Sequence, residues 1–117
     1  MAAPNIVNVA TITGKTAVLV VSASATAIVT NSSGSGKVLK INSLYCSNVD
    51  ASSVYSVTID IFRSSIAYRI GYLIPVPVSA TLDLLRRPVY LEEGDTLRLT
   101  GSVANKIEAI CSYEDIS

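Results

Sequence analysis

Short runs of β-branched and apolar residues recur at fairly even intervals along the chain, and turn-forming residues separate them. Val, Ile and Thr favour strands because their branched side chains pack well on a pleated surface. Gly, Pro, Asn, Asp and Ser between such runs favour turns. No long stretch has a helical 3.6-residue period with capping residues at its ends. The pattern therefore predicts an all-β chain.

The clearest strand segments alternate apolar and polar residues, which is the period of a half-buried strand. In one of them Tyr55, Val57 and Ile59 would share the core face, and Asp60 would lie on the solvated face. Gly14-Lys15 resembles a turn between the first two strands, and Ala104-Asn105 resembles a two-residue hairpin loop between the last two. The predicted strands cover residues 6–13, 16–22, 26–31, 37–48, 55–62, 66–74, 81–84, 96–103 and 106–114.

Eight or nine short strands with one apolar face each cannot bury those faces in a single flat sheet. They pack as two facing sheets or curl into a barrel. The chain has 117 residues, half of them hydrophobic, which suits one domain with its own core. We therefore predict a single domain over residues 1–117, an all-β sandwich of about eight strands. A jelly roll is one candidate arrangement, and residues 1–9 form a candidate extended N-terminal arm.

The charge balance and the hydropathy of the chain limit the classes of partner that are expected. Nine basic residues balance nine acidic ones, so the basic face that a nucleic-acid partner demands is not expected. A near-neutral surface also opposes self-association only weakly. The run 17–29 imitates a secretory signal, but it is short, interrupted by Ser and Thr, and preceded by no positive charge. The expectation is a protein made in the cytoplasm that has no membrane and no nucleic acid among its partners.

The two cysteines, Cys46 and Cys111, each lie in an apolar segment that resembles a strand. Two cysteines are too few for a disulfide scaffold. Two reduced, buried thiols are one reading, and a single bridge between adjacent strands is the other. Because the chain lacks His and has no close cysteine pair, no metal site and no cofactor are expected.

Two short motifs resemble ligand sites. Gly34-Ser35-Gly36-Lys37 lacks the preceding glycine and the following Ser or Thr of a phosphate-binding loop, so a flexible hairpin loop is favoured. Glu92-Glu93-Gly94-Asp95 could supply a weak calcium site, but a tight turn with positive φ at Gly94 is favoured. No histidine base or activated nucleophile is present, so catalytic residues are not expected and the chain is not predicted to be an enzyme.

The six tyrosines leave carbohydrate binding open as an alternative, because sugar-binding sandwiches present aromatic rings. By alternation Tyr45, Tyr55 and Tyr113 are expected to face the core. Tyr68, Tyr72 and Tyr90 lie near prolines and are expected to be half-exposed, packing against a neighbouring chain or their own loops. Pro75 and Pro77 exclude a central strand, so this segment is predicted to be an edge strand or a crossing between sheets.

Four segments occur in an order that resembles a known family: residues 40–50, 73–77, 90–97 and 112–116. Together they look like small virion structural proteins of tailed bacteriophages, including phages of cyanobacteria. The resemblance covers roughly residues 38–117. It implies a structural component of a phage particle: a capsid decoration or cement protein, or a part of the neck, tail or baseplate.

The resemblance further implies a location in the virion, with the major capsid protein or other virion proteins as partners. A homo-oligomer, a trimer or a dimer, is expected. The candidate contact residues lie in the N-terminal arm and in the proline-flanked segment: Ala3, Pro4, Ile6, Tyr68, Tyr72, Pro75 and Pro77.

Overall fold

The computed structural model describes residues 11–117, which form nine β-strands and no helix. Their bounds are β1 (Ile12–Val20), β2 (Thr26–Thr30), β3 (Val38–Asn48), β4 (Tyr55–Arg63), β5 (Ile66–Val76), β6 (Thr81–Asp83), β7 (Val89–Leu91), β8 (Thr96–Gly101) and β9 (Ile107–Ile116). In this part of the chain no helix is long and apolar enough to span a membrane.

The strands form two antiparallel sheets that pack face to face. Sheet I has the order β1-β9-β3, and the short strands β6 and β7 both pair with the far side of β3. Sheet II has the order β2-β8-β4-β5. The chain passes between the sheets at almost every connection, which is the winding of a jelly roll. The predicted all-β sandwich is confirmed, and its strand order is that of the jelly roll.

The core lies between the two sheets and is built from the inward residues of both. Each large aliphatic side chain buried there contributes roughly 1.5–3 kcal/mol to folding. The largest fully buried apolar side chains are Ile41, Leu44, Ile59, Leu91, Leu97, Leu99, Ile107, Val21, Val57 and Val76.

Two predicted turns are wrong. Gly14 and Lys15 lie inside β1, which runs on to Val20 in continuous register with β9. Ala104 and Asn105 belong to the loop between β8 and β9, but these strands lie in different sheets and do not form a hairpin. Alternation within a strand shows which face is apolar, but it does not show which strand lies alongside.

Two predicted side-chain orientations are also wrong. Asp60 is buried, because Arg98 on the neighbouring strand β8 donates a 2.8 Å hydrogen bond to it and covers it. The Arg98 guanidinium also lies 4.0 Å from the centre of the Phe62 ring. Tyr45 is exposed on the outer face of sheet I, whereas Tyr55 and Tyr113 pack against the core as expected.

Other local predictions are confirmed. The long strand β3 contains the expected irregularity, a register shift between Ile41 and Ser43. The turn before β8 has Gly94 at φ 91°, and the Glu92 N–H donates to Asp95 Oδ2 at 2.8 Å. The proline-containing strand β5 is an edge strand of sheet II.

Candidate protein-interaction surfaces

Strand β5 is one of the two edge strands of sheet II and carries three of the seven candidate contact residues, Tyr68, Tyr72 and Pro75. A two-residue turn, Ser64-Ser65, joins it to β4, and both serines have positive φ (52° and 63°). Positive φ at both central residues is the geometry of a type I′ hairpin, whose twist matches that of the flanking strands. The sequence analysis did not identify this hairpin, because two serines lack the Asn-Gly signature of such turns.

The two candidate tyrosines of β5 lie on opposite sides of the strand. Tyr68 stands opposite Ile61, whose side faces the core, and Arg69 stands opposite Asp60 on the outer side. The Arg69 guanidinium lies 4.8 Å from the centre of the Tyr72 ring, so Tyr72 is on the outer side as well. Tyr68 and Tyr72 are 55% and 62% exposed. They therefore do not form one flat aromatic platform.

An apolar groove runs between β5 and the segment that joins β6 to β7. Ile70 of β5 lies on one side, and Leu84, Leu85 and Val89 lie on the other. Arg86 and Arg87 also line this groove, and both are exposed. We call it the β5 groove. An apolar floor with two arginines at its edge suits a protein segment that offers apolar side chains beside acidic ones.

The C-terminal half of β5 is irregular. Its register with β4 shifts on both sides of Ile59, and Leu73 has a positive φ of 50°. The Leu73 N–H donates to the buried Thr58 Oγ1 at 3.1 Å, and the Leu73 side chain is 55% exposed. Pro75, at the end of the strand, and Pro77, just after it, are both exposed. This end of β5 therefore presents apolar surface with few free backbone donors.

A second apolar surface lies on the outer face of sheet I. Val18 of β1 stands opposite Ile110 of β9, and Ile110 stands opposite Tyr45 of β3. Their side chains are 74%, 48% and 42% exposed, respectively. We call these three residues the outer row. This row was not predicted from the sequence, although Ile110 among the polar residues of the last strand was the signal.

The charged clusters of the chain are engaged in structural contacts. Asp95 is 1% exposed and accepts a 2.7 Å hydrogen bond from Arg63 Nε. The hydrogen bond from Arg63 lowers the pKa of Asp95, although burial opposes this. The Arg63 guanidinium also lies 2.9 Å from Glu92. The acidic turn is thus held by an arginine, and this arrangement favours a structural role over calcium binding.

A second buried carboxylate, Asp115, joins two lysines. Lys15 and Lys37 approach its Oδ2 at 3.0 and 3.1 Å. Burial alone would raise the pKa of Asp115, but the hydrogen bonds from both lysines outweigh it and lower the pKa. These contacts tie β1 and the loop before β3 to β9. Lys37, weighed above as part of a phosphate-binding motif, therefore has a structural partner.

The two cysteines are free thiols in the interior of the sandwich. Burial raises the pKa of Cys46 to about 12 and that of Cys111 to about 11. A thiol with such a pKa is a poor nucleophile at neutral pH. In residues 11–117, no three acidic or cysteine side chains come together as metal ligands. The candidate contact residues Ala3, Pro4 and Ile6 lie outside the residues that the structure describes.

No protein-family model matches the chain, and no curated protein matches it. Among solved structures, the fold is similar to that of a protein described by the words "Bacillus endospore appendages form a novel family of disulfide-linked pili". The TM-score is 0.54, the identity is 16%, and the match covers 92% of this chain and 88% of that one. A likeness at this identity supports the β-sandwich fold alone.

Proposed function

We propose that this chain is a non-enzymatic structural subunit of a tailed-bacteriophage particle, and specifically a capsid decoration or cement protein. The observation that carries the proposal is the exposed apolar surface of β5, above all the groove beside Ile70. Contiguous apolar surface on a small soluble domain marks a site of protein contact. The resemblance of residues 38–117 to virion structural proteins supports the choice of a tailed-bacteriophage virion as the particle.

The mechanism is mass action. A protein that binds the mature shell, and not its precursor or its dissociated subunits, stabilises that shell by an amount that grows with its free concentration relative to its dissociation constant. The β5 groove would receive a segment of the major capsid protein, with Arg86 and Arg87 pairing with acidic side chains next to an apolar anchor. The protein would be made in the host cytoplasm and then reside in the virion.

The N-terminal arm, residues 1–9, belongs to the same proposal. Its sequence, Met-Ala-Ala-Pro-Asn-Ile-Val-Asn-Val, is mostly apolar and has no charged side chain, which suits a segment that packs on a neighbouring subunit. Deleting residues 1–9 should weaken binding to purified particles. Unchanged binding would remove the arm from this account and leave the β5 groove as the contact surface.

A location in the neck, tail or baseplate is the closest alternative, since the same domain could serve there at low copy number. A carbohydrate-binding role in host attachment is a further alternative. The placement of Tyr68 and Tyr72 on opposite sides of β5 argues against it, because sugar platforms need coplanar rings. Silence on a glycan array, together with normal host adsorption after substitution of either tyrosine, would exclude it.

A subunit of a surface fibre is a second candidate, and the likeness to the appendage protein favours it. The disulfide linkage named for that protein would be hard to obtain here. Both cysteines of this chain are fully buried in the core, so neither can reach another chain while the domain stays folded. A fibre built from this subunit would have to rely on noncovalent contacts.

The deciding experiment is quantitative mass spectrometry of purified particles, with this chain counted against the major capsid protein. A count close to a simple fraction of the capsid count supports the cement proposal. Only a few copies per particle would favour a location in the neck, tail or baseplate. Absence from the particle contradicts both and leaves the fibre and carbohydrate candidates.

A further inference from the structure

The free edges of the two sheets differ in how well they are protected against pairing with another chain. An edge strand presents unpaired backbone N–H and C=O groups, and proteins blunt such edges with short strands, prolines, charges and bulges. Within residues 11–117 there are four such edges: β1 and the β6/β7 side in sheet I, and β2 and β5 in sheet II.

Three of the four edges carry such devices. The β6/β7 edge consists of two three-residue strands separated by a segment that contains Arg86, Arg87 and Pro88. Strand β2 has five residues and a bulge. Strand β5 has two register shifts and a proline, Pro75. Each of these edges therefore resists the continuous pairing that a second strand would need.

Strand β1 is neither short nor interrupted by a proline or a bulge. It has nine residues, contains no proline, and keeps register with β9 over nine consecutive pairs without a bulge. Its single charged residue, Lys15, is paired with Asp115. Residues 12–16 are all exposed, and in the described part of the chain no strand pairs with the far side of β1. Within residues 11–117 this edge is open along its whole length.

We propose that β1 pairs antiparallel with β1 of a second copy of this chain, about a two-fold axis at Thr16. Residues directly opposite in an antiparallel pair share a face. In this register Ile12 stands opposite the second copy's Val20, and Gly14 stands opposite its Val18. Thr16 stands opposite Thr16, and Thr–Thr and apolar pairs are favourable across strands.

The same register makes use of the outer row and places no like charges directly opposite each other. Lys15 stands opposite Ala17 of the second copy, so the two Lys15 residues are diagonal neighbours on one face, and each is paired with Asp115 of its own chain. The position that a Cβ would occupy on Gly14 has open space around it, which leaves room for the opposing Val18. Val18 is 74% exposed in the single chain and would be partly covered in the pair. Pairing over all nine residues would make one continuous sheet from the two copies of sheet I.

This inference does not depend on the proposed function, and it specifies the homo-oligomer that the sequence analysis led us to expect. Its partner is a second copy, and its surface is β1 and not the β5 groove. The test uses the purified full-length chain in solution. If the chain does not dimerise in solution, the mass-spectrometric count of its copies in particles is unaffected. If the chain is absent from particles, the result of the solution experiment is unaffected.

The first measurement is sedimentation equilibrium of the wild-type chain and of Thr16→Lys. The wild type should be a dimer, and Thr16→Lys should weaken dimerisation by at least about tenfold, since it places like charges directly opposite each other. Val54→Lys is the matched control, because Val54 is also exposed but lies in the loop between β3 and β4. It should sediment as the wild type does. A monomeric wild type, a trimer, or a dimer that Thr16→Lys leaves intact would overturn the proposal.

Crosslinking provides a test that does not depend on the folding of a lysine variant. Directly opposite Cα atoms in an antiparallel pair lie about 4.5–5.5 Å apart, which is within the range of a disulfide. Thr16→Cys should therefore form a covalent dimer under mild oxidation, while the buried native cysteines stay unreacted. Val54→Cys should crosslink far more slowly. Equal rates for the two variants would overturn the proposed pairing.

Discussion

Arg63 Nε lies 2.7 Å from Asp95 Oδ1, so the last residue of β4 is joined to the turn that precedes β8. Asp95 also accepts a 2.8 Å hydrogen bond from the Glu92 N–H, which closes its own turn. The carboxylate is 1% exposed, whereas the Arg63 side chain is 47% exposed. One buried charge therefore holds two turns together at this end of the sandwich.

Replacement of Asp95 by Asn should destabilise the domain by about 2 kcal/mol at neutral pH, because it removes the charge that satisfies Arg63. The half-exposed arginine keeps the loss below that of a fully buried pair. Urea unfolding monitored by circular dichroism measures this difference. A variant as stable as the wild type would show that the pair contributes little.

The same pair predicts how stability depends on pH. The pKa of Asp95 is lowered in the folded state by its hydrogen bond to Arg63, so the unfolded chain takes up the proton first as the pH falls. The stabilisation should be complete above about pH 5 and should be lost progressively as the pH falls below about 4, toward the lower pKa of the folded state. The difference between wild type and Asp95→Asn should therefore shrink at low pH. A difference that stays constant from pH 7 to pH 3 would contradict this origin.

Two glycines should differ in how strongly their replacement by alanine affects stability. A Cβ on Gly101 would lie 3.1 Å from the Val103 carbonyl oxygen, 3.2 Å from Val21 Cγ1 and 3.3 Å from the Ser22 carbonyl oxygen. Backbone atoms cannot easily yield, so Gly101→Ala should cost about 1–3 kcal/mol. Gly14→Ala, where nothing lies within 4 Å, should change stability by less than about 0.5 kcal/mol in the monomer. The thermal unfolding midpoints of Gly101→Ala and Gly14→Ala, each compared with that of the wild type, test this difference.

The cysteines should react with thiol reagents only when the domain opens. Their raised pKa values, about 12 for Cys46 and about 11 for Cys111, leave almost no thiolate at pH 8, and burial blocks access. Labelling in native buffer should be at least about 100-fold slower than in denaturant, where two thiols per chain should react. Fewer than two reactive thiols after unfolding would indicate a disulfide and contradict the structure.

A single charged substitution tests whether the β5 groove binds the particle. Ile70→Asp places a carboxylate on the apolar floor of the groove, where 37% of the isoleucine is exposed. Binding to particles stripped of this protein should weaken by at least about tenfold, equivalent to about 1.4 kcal/mol. Val54→Asp is the control at an exposed valine outside the groove. Similar binding by both variants would contradict a role for the β5 groove and would leave the N-terminal arm as the candidate contact.

The sequence predicted the strands whose two faces differ in polarity. Strand β8 alternates buried leucines with half-exposed residues as its pattern indicates, and the bulge in β3 follows from an apolar run too long for one face. The turn at Gly94 was predictable because its chemistry is local: a residue with positive φ and a carboxylate that bonds to its own backbone. The β5 edge was predictable because Pro75 cannot donate to a central ladder.

The sequence could not assign residues whose environment comes from distant parts of the chain. Asp60 resembled a surface carboxylate until Arg98, 38 residues later, was placed beside it. Gly14-Lys15 resembled a turn, but pairing with β9 near the C-terminus keeps that segment extended. Among the candidate contacts, Tyr68 and Tyr72 were predicted as a group, and the register of β5 separates them onto two faces.

By itself, the sequence determined that the chain is an all-β sandwich with a single core, because alternation and turn chemistry act over a few residues. Only the tertiary structure decided which strands are neighbours, since strands far apart in the sequence pair by backbone hydrogen bonds that any residue except proline can donate. Within residues 11–117, that choice leaves β1 as an open edge, aligns Val18 with Ile110 and Tyr45, and creates the groove beside Ile70. The surfaces through which this protein would act are therefore products of strand order.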